Sequence, residues 1–311
     1  MTDAVAFTND TDRDSIISLL RTVGIVVIKK SNLTPEEIYK LHLDLGYHHE
    51  PKLWCQVKEY PIFVKVSNRI VDGENKGMFG SLDIDWHTDI LYSKDCHEVL
   101  TLYAHSVPEG DSGCPPTTWC NSRPFLKQLP TDVKDRLKTL YTKFSYDQSL
   151  SYTNKRYDLH NAATCEIGME QMRRESKKQY IRHTVNIDPN DISKYKEGRY
   201  EFEGFYRMMP KHPLGSDGLF FNMSNTVDIV NSNYESIPDA RELFFYLKEN
   251  LVDNNQYHYT HKWEQGDIVI ADKLTTMHKR DHSVPDEIER ELWKAQWYYK
   301  TIDRIHYDYS L

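Results

Sequence analysis

Strand-length apolar runs, each closed by turn-forming residues, recur along almost the whole chain, and nothing else in the sequence limits the possible folds as much. “GIVVIKK”, “IFVKVS”, “VLTLYAHSV”, “TTWCN”, “GLFFNMS”, “GDIVIADKL” and “ELWKAQWYYK” all have this form. Short apolar runs bounded by Gly, Pro, Asn or Asp read as strands with buried faces. Helical periodicity is confined to a few segments. In “DSIISLLRTVG” it is amphipathic and ends at Gly24. In “SNLTPEEIYKLHLDLG” Thr34 can cap, Pro35 takes the first helical position, Glu36 and Glu37 suit the positive end of the dipole, and Gly46 stops the helix. “SRPFLKQLPTDVKDRLKTL” and residues 238–252 also read as helical. Strands from end to end with helices between them imply one mainly β domain, a sandwich or barrel with flanking helices packed outside.

Composition narrows the function classes. The chain has 311 residues, 39% of them hydrophobic, enough for one large core. Its 12% aromatic content, rich in Tyr, suits a β protein enclosing a large pocket. A formal charge of −8 disfavours a general nucleic-acid surface while leaving room for a local basic pocket. “MTDAVAFTNDTDRDSIISLL” has no apolar signal core, and no apolar run reaches the length of about 18 residues that a membrane span needs. Cys55, Cys96, Cys114, Cys120 and Cys165 form no Cys-x-x-Cys pair and read as reduced thiols. The expectation is a soluble cytoplasmic protein of one domain, residues 1–311, with no nucleic-acid or membrane partner and with self-association into a homo-oligomer left open. Residues 144–200 are charged, tyrosine-rich and weakly periodic. They read as an irregular insertion with one helix near 168–179, a candidate lid or subunit contact.

Three His-x-Asp triplets occur among the 14 histidines. His42-Leu43-Asp44 lies in the helix after Pro35, where positions i and i+2 point about 200° apart and cannot converge on one ion. His306-Tyr307-Asp308 sits at the C-terminus with nothing after it to complete a site. His87-Thr88-Asp89, in “DIDWHTDILY”, lies on strand-like sequence running into a turn, where i and i+2 project to one side. Two neutral imidazoles and one carboxylate on one face of an octahedron hold non-haem iron and leave three positions open. In “GDIVIADKLTTMHKRDHSVPDEIERELWKAQW” the third ligand can be His278, just after an apolar strand, with His282 four residues on. On the strand that follows, Arg290, Leu292, Lys294 and Gln296 share one face. A buried Arg290 there needs an anion, unless it is a surface cation paired with Glu289 or Glu291.

A His-x-Asp pair, a distant His and an Arg twelve residues beyond it (290 − 278 = 12) form the pattern of the Fe(II)/2-oxoglutarate dioxygenases. The chain resembles their TauD/TfdA, taurine dioxygenase-like branch in five segments in order. “GIVVIKKSNLTPEEIYKLHLDLG” resembles its N-terminal strand and helix, and “WHTD” its metal motif. “VPEGDSGCPPTTWCNS” resembles its threonine-bearing loop and strand, “PKHPLGSDGLFFNMSN” its His-Pro segment, and “WEQGDIVIADKLTTMH” the strand delivering the last histidine. The resemblance implies a double-stranded β-helix core, jelly-roll and cupin-like. It implies iron held by His87, Asp89 and His278, and 2-oxoglutarate chelating that iron, with its distal carboxylate on Thr117 and Arg290. O2 would complete the reaction, and 2-oxoglutarate would leave as succinate and CO2. Hydroxylation of an unactivated C–H is the expected outcome; desaturation and oxidative cyclisation stay open.

Two departures bear on the substrate. Cys114, Pro115 and Pro116 stand where the branch often has Gly-Gly, and Lys294 stands where taurine dioxygenase has a second arginine. Lys294 on the cavity face, with Arg280 and Lys279 at the rim, points to a small anionic or zwitterionic, carboxylate-bearing substrate. His48, His49 and Trp54 fall in the region that lines the substrate side in this branch. The rival readings are a cupin-like binding protein with a relic site and a zinc-dependent hydrolase; the latter leaves Arg290 and Thr117 without a task.

Overall fold

The computed structural model describes residues 5–48, 50, 51, 53–81, 83–89, 97–109, 114–145, 151–155, 203–285 and 287–300. His49 and most of the expected insertion, including its helix near 168–179, lie outside the described residues. In chain order the strands are β1 (Ala6–Thr8), β2 (Ile25–Ile28), β3 (Gly46–His48), β4 (Val64–Ser67), β5 (Ile70–Val71), β6 (Glu74–Asn75), β7 (Met78–Phe79) and β8 (Ile84–His87). There follow β9 (Val99–Ser106), β10 (Thr117–Asn121), β11 (Tyr141–Ser145), β12 (Glu203–Arg207) and β13 (Thr226–Val230). The last are β14 (His258–His261), β15 (Ile268–Asp272), β16 (Thr276–Arg280) and β17 (Glu291–Tyr299). A large sheet runs β1-β2-β15-β9-β17-β4-β7, with β3 also paired to β17, and a four-stranded sheet runs β14-β10-β16-β8. The fold is therefore mostly sheet with few helices, as the apolar runs imply.

The large sheet is buried on both faces, so its strands read as continuous apolar runs rather than alternating ones. Ile25, Val27, Val269, Ala271, Leu100, Leu102 and Leu292 face inward and meet Trp119 and Trp263 from the second layer. Val26, Ile28, Ile268, Ile270, Trp293 and Trp297 face outward, under Ile16 and Leu20 of helix α1 (Arg13–Val23) and Ile38 and Leu45 of α2 (Pro35–Leu45). Each such side chain, fully buried, stabilises the fold by about 1.5–3 kcal/mol relative to exposure. The outer face of the small sheet offers Trp86, Cys120 and Met277 to a helical layer. That layer holds Phe125, Leu126 and Leu137 from α3 (Ser122–Gln128) and α4 (Thr131–Lys138) and Leu243, Phe244 and Leu247 from the helix Ala240–Leu247.

Local signals set the first two helices. Asp12 caps α1 by accepting from Ser15 N–H, and Gly24 closes it at φ +82°, its N–H donating to the Leu20 carbonyl. Thr34 and Glu37 form a reciprocal capping box on α2, with Pro35 in the first turn. Gly46 is demanded by a close approach: a Cβ there would lie 2.3 Å from Trp297 Cε3 and 2.5 Å from the Tyr298 carbonyl oxygen.

Three expectations need correction. The helical segment after β10 is two helices, because Leu129 precedes Pro130 and is extended at φ −67°, ψ 139°. “GLFFNMS” is not a strand; Leu219, Phe220, Phe221 and Met223 are buried, yet the ladder begins only at Thr226. Its backbone is satisfied otherwise, Leu219 N–H donating to Ser122 Oγ and Phe220 N–H to the Met208 carbonyl. The helix expected over 238–252 is an α-helix from Ala240 to Leu247 and a π-helical turn, Lys248–Val252, thereafter. Among the described residues no helix is long and apolar enough to cross a membrane.

Candidate active site

The small sheet brings two distant histidines together. His278, at the centre of β16, pairs with His87 at the end of β8, and their ring centroids lie 4.2 Å apart. Asp89 is not on the strand; it sits in the turn beyond it, so the turn rather than strand alternation returns its carboxylate toward the imidazoles. The ligand atoms of His87, Asp89 and His278 lie within 4.8 Å of one another, with Asp89 Oδ1 3.6 Å from His87 Nε2. This is a spacing one ion can bridge, and the donor set, two imidazoles and a carboxylate, fits a divalent first-row metal. His282 is not part of the cluster.

A bulge explains the bulky neighbour. His278 pairs with His87 and Arg280 with Ile84, so β8 carries one extra residue here. The bulge turns both Ile84 and His87 into the cavity and sends Trp86 outward, where it packs 4.9 Å from the His258 ring centroid. His87 Nδ1–H donates to the Asp85 carbonyl at 2.7 Å, which fixes the tautomer and leaves Nε2 as a lone-pair donor. Trp119 stacks on the other imidazole, its centroid 6.2 Å from that of His278 at 24°.

Electrostatics suit ligation. Burial, then the neighbouring His87, push His278 down to about 3, so its imidazole is neutral at neutral pH. Burial alone would raise Asp89, but Lys294 foremost, with His87 and His278, holds its carboxyl well below the usual range. Lys294 Nζ lies 3.5 Å from Asp89 Oδ2 and 5.2 Å from the centroid of Phe79. The oxygen nearer His87 is thus Oδ1, and the lysine holds the other.

The same cavity carries the second expected group. It encloses about 400 Å³ of empty space, mouth included, lined by His87, Asp89, His278, Thr117, Arg290 and Lys294 with Arg280 and Lys279. Val66, Phe79, Ile84, Leu102 and Leu292 complete its wall. Arg290 is 3% exposed, and burial pulls its guanidinium down to about 10. It pairs with neither flanking glutamate: Glu289 meets Arg69 at 3.3 Å and Glu291 accepts from Trp293 Nε1. Its Nη2 reaches Thr117 Oγ1 at 3.5 Å, while Nε and Nη1 are buried without a partner among the described residues. Orphaned guanidinium donors in a cavity fit a ligand carboxylate, the group the distal end of 2-oxoglutarate would supply.

Other expected residues are placed differently. Arg280 is not at the rim; it is 6% exposed and donates to the carbonyls of Phe79 and Gly80 at 3.1 and 3.3 Å. Lys279 pairs with Asp281 at 2.5 Å. His48 does not line the cavity: it packs against His42 and Trp297 with centroids 6.0 and 6.2 Å away, because β3 presents it to the helix-covered face of the large sheet. Trp54 packs on the cluster of Cys55, Val64 and Met78 that backs Val66 and Phe79, one layer behind the wall. His49 lies outside the described residues.

Sequence reasoning missed the corner that aims His278. His278 is not simply the continuation of the apolar strand, because β15 and β16 belong to different sheets and the chain turns between them at Asp272. Asp272 Oδ1 accepts from Leu274 N–H, and Oδ2 accepts from Arg123 Nη2 at 2.8 Å, His212 Nε2–H at 2.6 Å and Tyr299 Oη at 3.2 Å. Leu214 N–H donates to His212 Nδ1, which puts the imidazole proton on Nε2. An aspartate inside the apolar run “IVIAD” was the available signal.

Comparison with known proteins identifies the family and the fold. The family model described as taurine catabolism dioxygenase TauD, TfdA family matches residues 2–296. Pentalenolactone F synthase of Streptomyces arenae is 23% identical over 286 residues, 90% of this chain and 85% of that protein. Among solved structures, the chain is similar to AAD-2 in complex with Mn(II) and N-oxalylglycine, at TM-score 0.63, 18% identity, and coverage of 96% of this chain and 97% of that one. It is also similar to a taurine dioxygenase from Burkholderia xenovorans, at TM-score 0.60, 14% identity, and coverage of 96% and 84%. The two facing sheets are thus the cupin-like β-sandwich, and the chain belongs to the TauD/TfdA family of Fe/2-oxoglutarate-dependent dioxygenases.

Proposed function

We propose that this chain is an Fe(II)- and O2-dependent oxygenase that oxidises an unactivated C–H bond of a small anionic or zwitterionic, carboxylate-bearing molecule, with hydroxylation as the outcome. His87, Asp89 and His278 would hold the metal, and Thr117 and Arg290 the distal carboxylate of 2-oxoglutarate. The observation that carries this reading is that one cavity contains both the three-ligand cluster and a buried arginine with two orphaned donors. When bound with O2, Fe(II) and 2-oxoglutarate supply the oxidising power, with succinate and CO2 as by-products.

The chain's own residues do the rest. Asp89, ionised beside Lys294, would offer Oδ1 as the carboxylate ligand of the metal, and a carboxylate there favours hydroxylation over halogenation. Val66, Phe79, Ile84, Leu102 and Leu292 keep the cavity wall dry, strengthening every charge interaction inside it. Lys294, 3.5 Å from Asp89 Oδ2, brings a buried ammonium to the same cavity as Arg290. A cation on that wall supports an anionic substrate.

The test is succinate formation by purified protein with Fe(II), ascorbate, O2 and 2-oxoglutarate, over a panel of amino acids, sulfonates and small carboxylates. The wild type is expected to form succinate and His87→Ala and Arg290→Ala to lose it. Wild-type protein that binds neither iron nor 2-oxoglutarate would overturn the reading. Substrate affinity untouched by Lys294→Ala would remove the anion assignment at that residue.

A further inference from the structure

Trp263 lies between β14 and β15, is 4% exposed, and belongs to neither the metal cluster nor the cavity wall. Its indole nonetheless touches both residues assigned to the distal carboxylate. Nε1–H donates to Thr117 Oγ1 at 3.0 Å, and the ring lies 6.0 Å below the Arg290 guanidinium carbon. A threonine hydroxyl has one proton to give and two lone pairs to receive. Both polar neighbours of Thr117 Oγ1, the Trp263 indole and Arg290 Nη2, are donors with no acceptor of their own. Among the described residues none accepts the Thr117 proton. The hydroxyl is therefore left with one role, to donate.

Trp263 is itself held rigidly. The His261 ring meets it at 4.5 Å and 75°, edge to face. His261 Nε2 lies 2.9 Å from Asp267 Oδ2 and its Nδ1 2.7 Å from Tyr259 Oη. Asp267, fully buried, also receives Lys29 Nζ at 2.6 Å and the N–H groups of Lys30 and Glu264. The indole cannot swing away without breaking this set.

We propose that Trp263 is a positioning residue for the cosubstrate: by occupying an acceptor site of Thr117 it turns that hydroxyl into a fixed donor toward the carboxylate Arg290 receives. This rests on the reading of Thr117 and Arg290 given above. It is tested with the Mn(II)-loaded protein by calorimetric titration with 2-oxoglutarate and with 2-oxobutyrate, which lacks the distal carboxylate. Trp263→Phe is expected to weaken 2-oxoglutarate roughly tenfold, as loss of one ordered hydrogen bond to a charged group does. Affinity for 2-oxobutyrate and for Mn(II) is expected to stay at the wild-type level. In a Thr117→Val background the same change is expected to add nothing, since the hydroxyl it orders is gone. Benzothienylalanine at position 263 keeps the bicyclic shape without the N–H and serves if Trp263→Phe does not fold. An equal loss for both ligands, or an undiminished loss in the Thr117→Val background, overturns the proposal. Arg290→Ala separates the failures. Wild-type 2-oxoglutarate binding in that variant sinks the pocket reading itself, whereas loss there with none in Trp263→Phe sinks only the role of Trp263.

Discussion

Arg290 makes the protein less stable when the cavity holds no anion, and removing its charge is expected to stabilise the ligand-free fold. Burial lowers the guanidinium well below the usual arginine value, to about 10. At about 1.4 kcal/mol for each tenfold change, this is a penalty on the order of 3 kcal/mol. The residue is 3% exposed, so solvent screening removes little of it. The sign follows from linkage: the folded state binds the proton less tightly than the unfolded one. The penalty is therefore full below about pH 10, where both states are charged, and fades only as pH rises from there toward the usual arginine value.

Methionine keeps most of the side-chain bulk and gives up the 3.5 Å contact to Thr117 and the cation–ring contact to Trp263. Those losses amount to about 1 kcal/mol together. Arg290→Met is thus expected to raise the stability of the metal- and ligand-free protein by about 2 kcal/mol at pH 7, read as a higher urea midpoint at unchanged slope. With Mn(II) and 2-oxoglutarate at about 100 times the wild type's dissociation constant, the wild type gains about 2.7 kcal/mol from the ligand and the variant, without the distal contact, gains less. Stability surrendered at a functional residue and recovered on ligation is the usual trade. A ligand-free variant less stable than the wild type by about 2 kcal/mol would refute the reasoning. It would mean that the guanidinium is satisfied in the empty protein.

His87→Ala and His278→Ala are each expected to weaken Mn(II) binding by more than about 100-fold in calorimetry, since even groups that only orient ligands cost 10–100-fold. His42 is fully buried and pushed down to about 4 by burial, with its Nδ1–H on the Ile38 carbonyl. Its folded value lies below the unfolded 6.5, so stability is expected to fall by about 3 kcal/mol as pH drops from 6.5 to 4, and His42→Leu to flatten that slope in urea midpoints measured against pH. Gly46→Ala puts a methyl 2.3 Å from Trp297 Cε3 on backbone that is itself unstrained at φ −159°. The clash is expected to cost about 3 kcal/mol or more in urea unfolding, and an unchanged midpoint would show that β3 can slide away from β17.

What the sequence made legible was local. Gly24, Thr34, Pro35 and Glu37 act within a turn of where they stand: α1 ends at the first and α2 begins at the other three. The buried strands β2, β9, β10, β15 and β17 were readable because an apolar run long enough for a strand and too short for a helix has few other uses. “GLFFNMS” misled for the same reason: hydrophobicity reports burial, and whether a ladder forms depends on which neighbours hold the free backbone groups. His48 misled differently. Nearness in sequence to a site-lining region says nothing of which face of a three-residue strand a side chain takes. His87, Asp89 and His278 stood out through pattern and resemblance together, whereas Asp272 and Trp263 act on residues far away in the chain and carry no local signature.

Those last two residues make sense of β15 as a unit. The strand lies between buried aspartates, Asp267 just before it and Asp272 at its end, and each gathers cations or imidazoles from distant segments. Asp267 binds Lys29 and His261 and so braces Trp263 behind Thr117 and Arg290. Asp272 binds Arg123 and His212 at the corner where the chain crosses to the small sheet and lays His278 against His87. A buried carboxylate is costly unless its partners are all in place, so a strand carrying one at each end tolerates a single register. A slip of β15 by one residue would strand both carboxylates and turn its apolar side chains to the opposite face. One end of that strand fixes the Thr117–Arg290 side of the cavity and the other fixes the His87–His278 side, so the charges that hold the fold in register also set the spacing between the two.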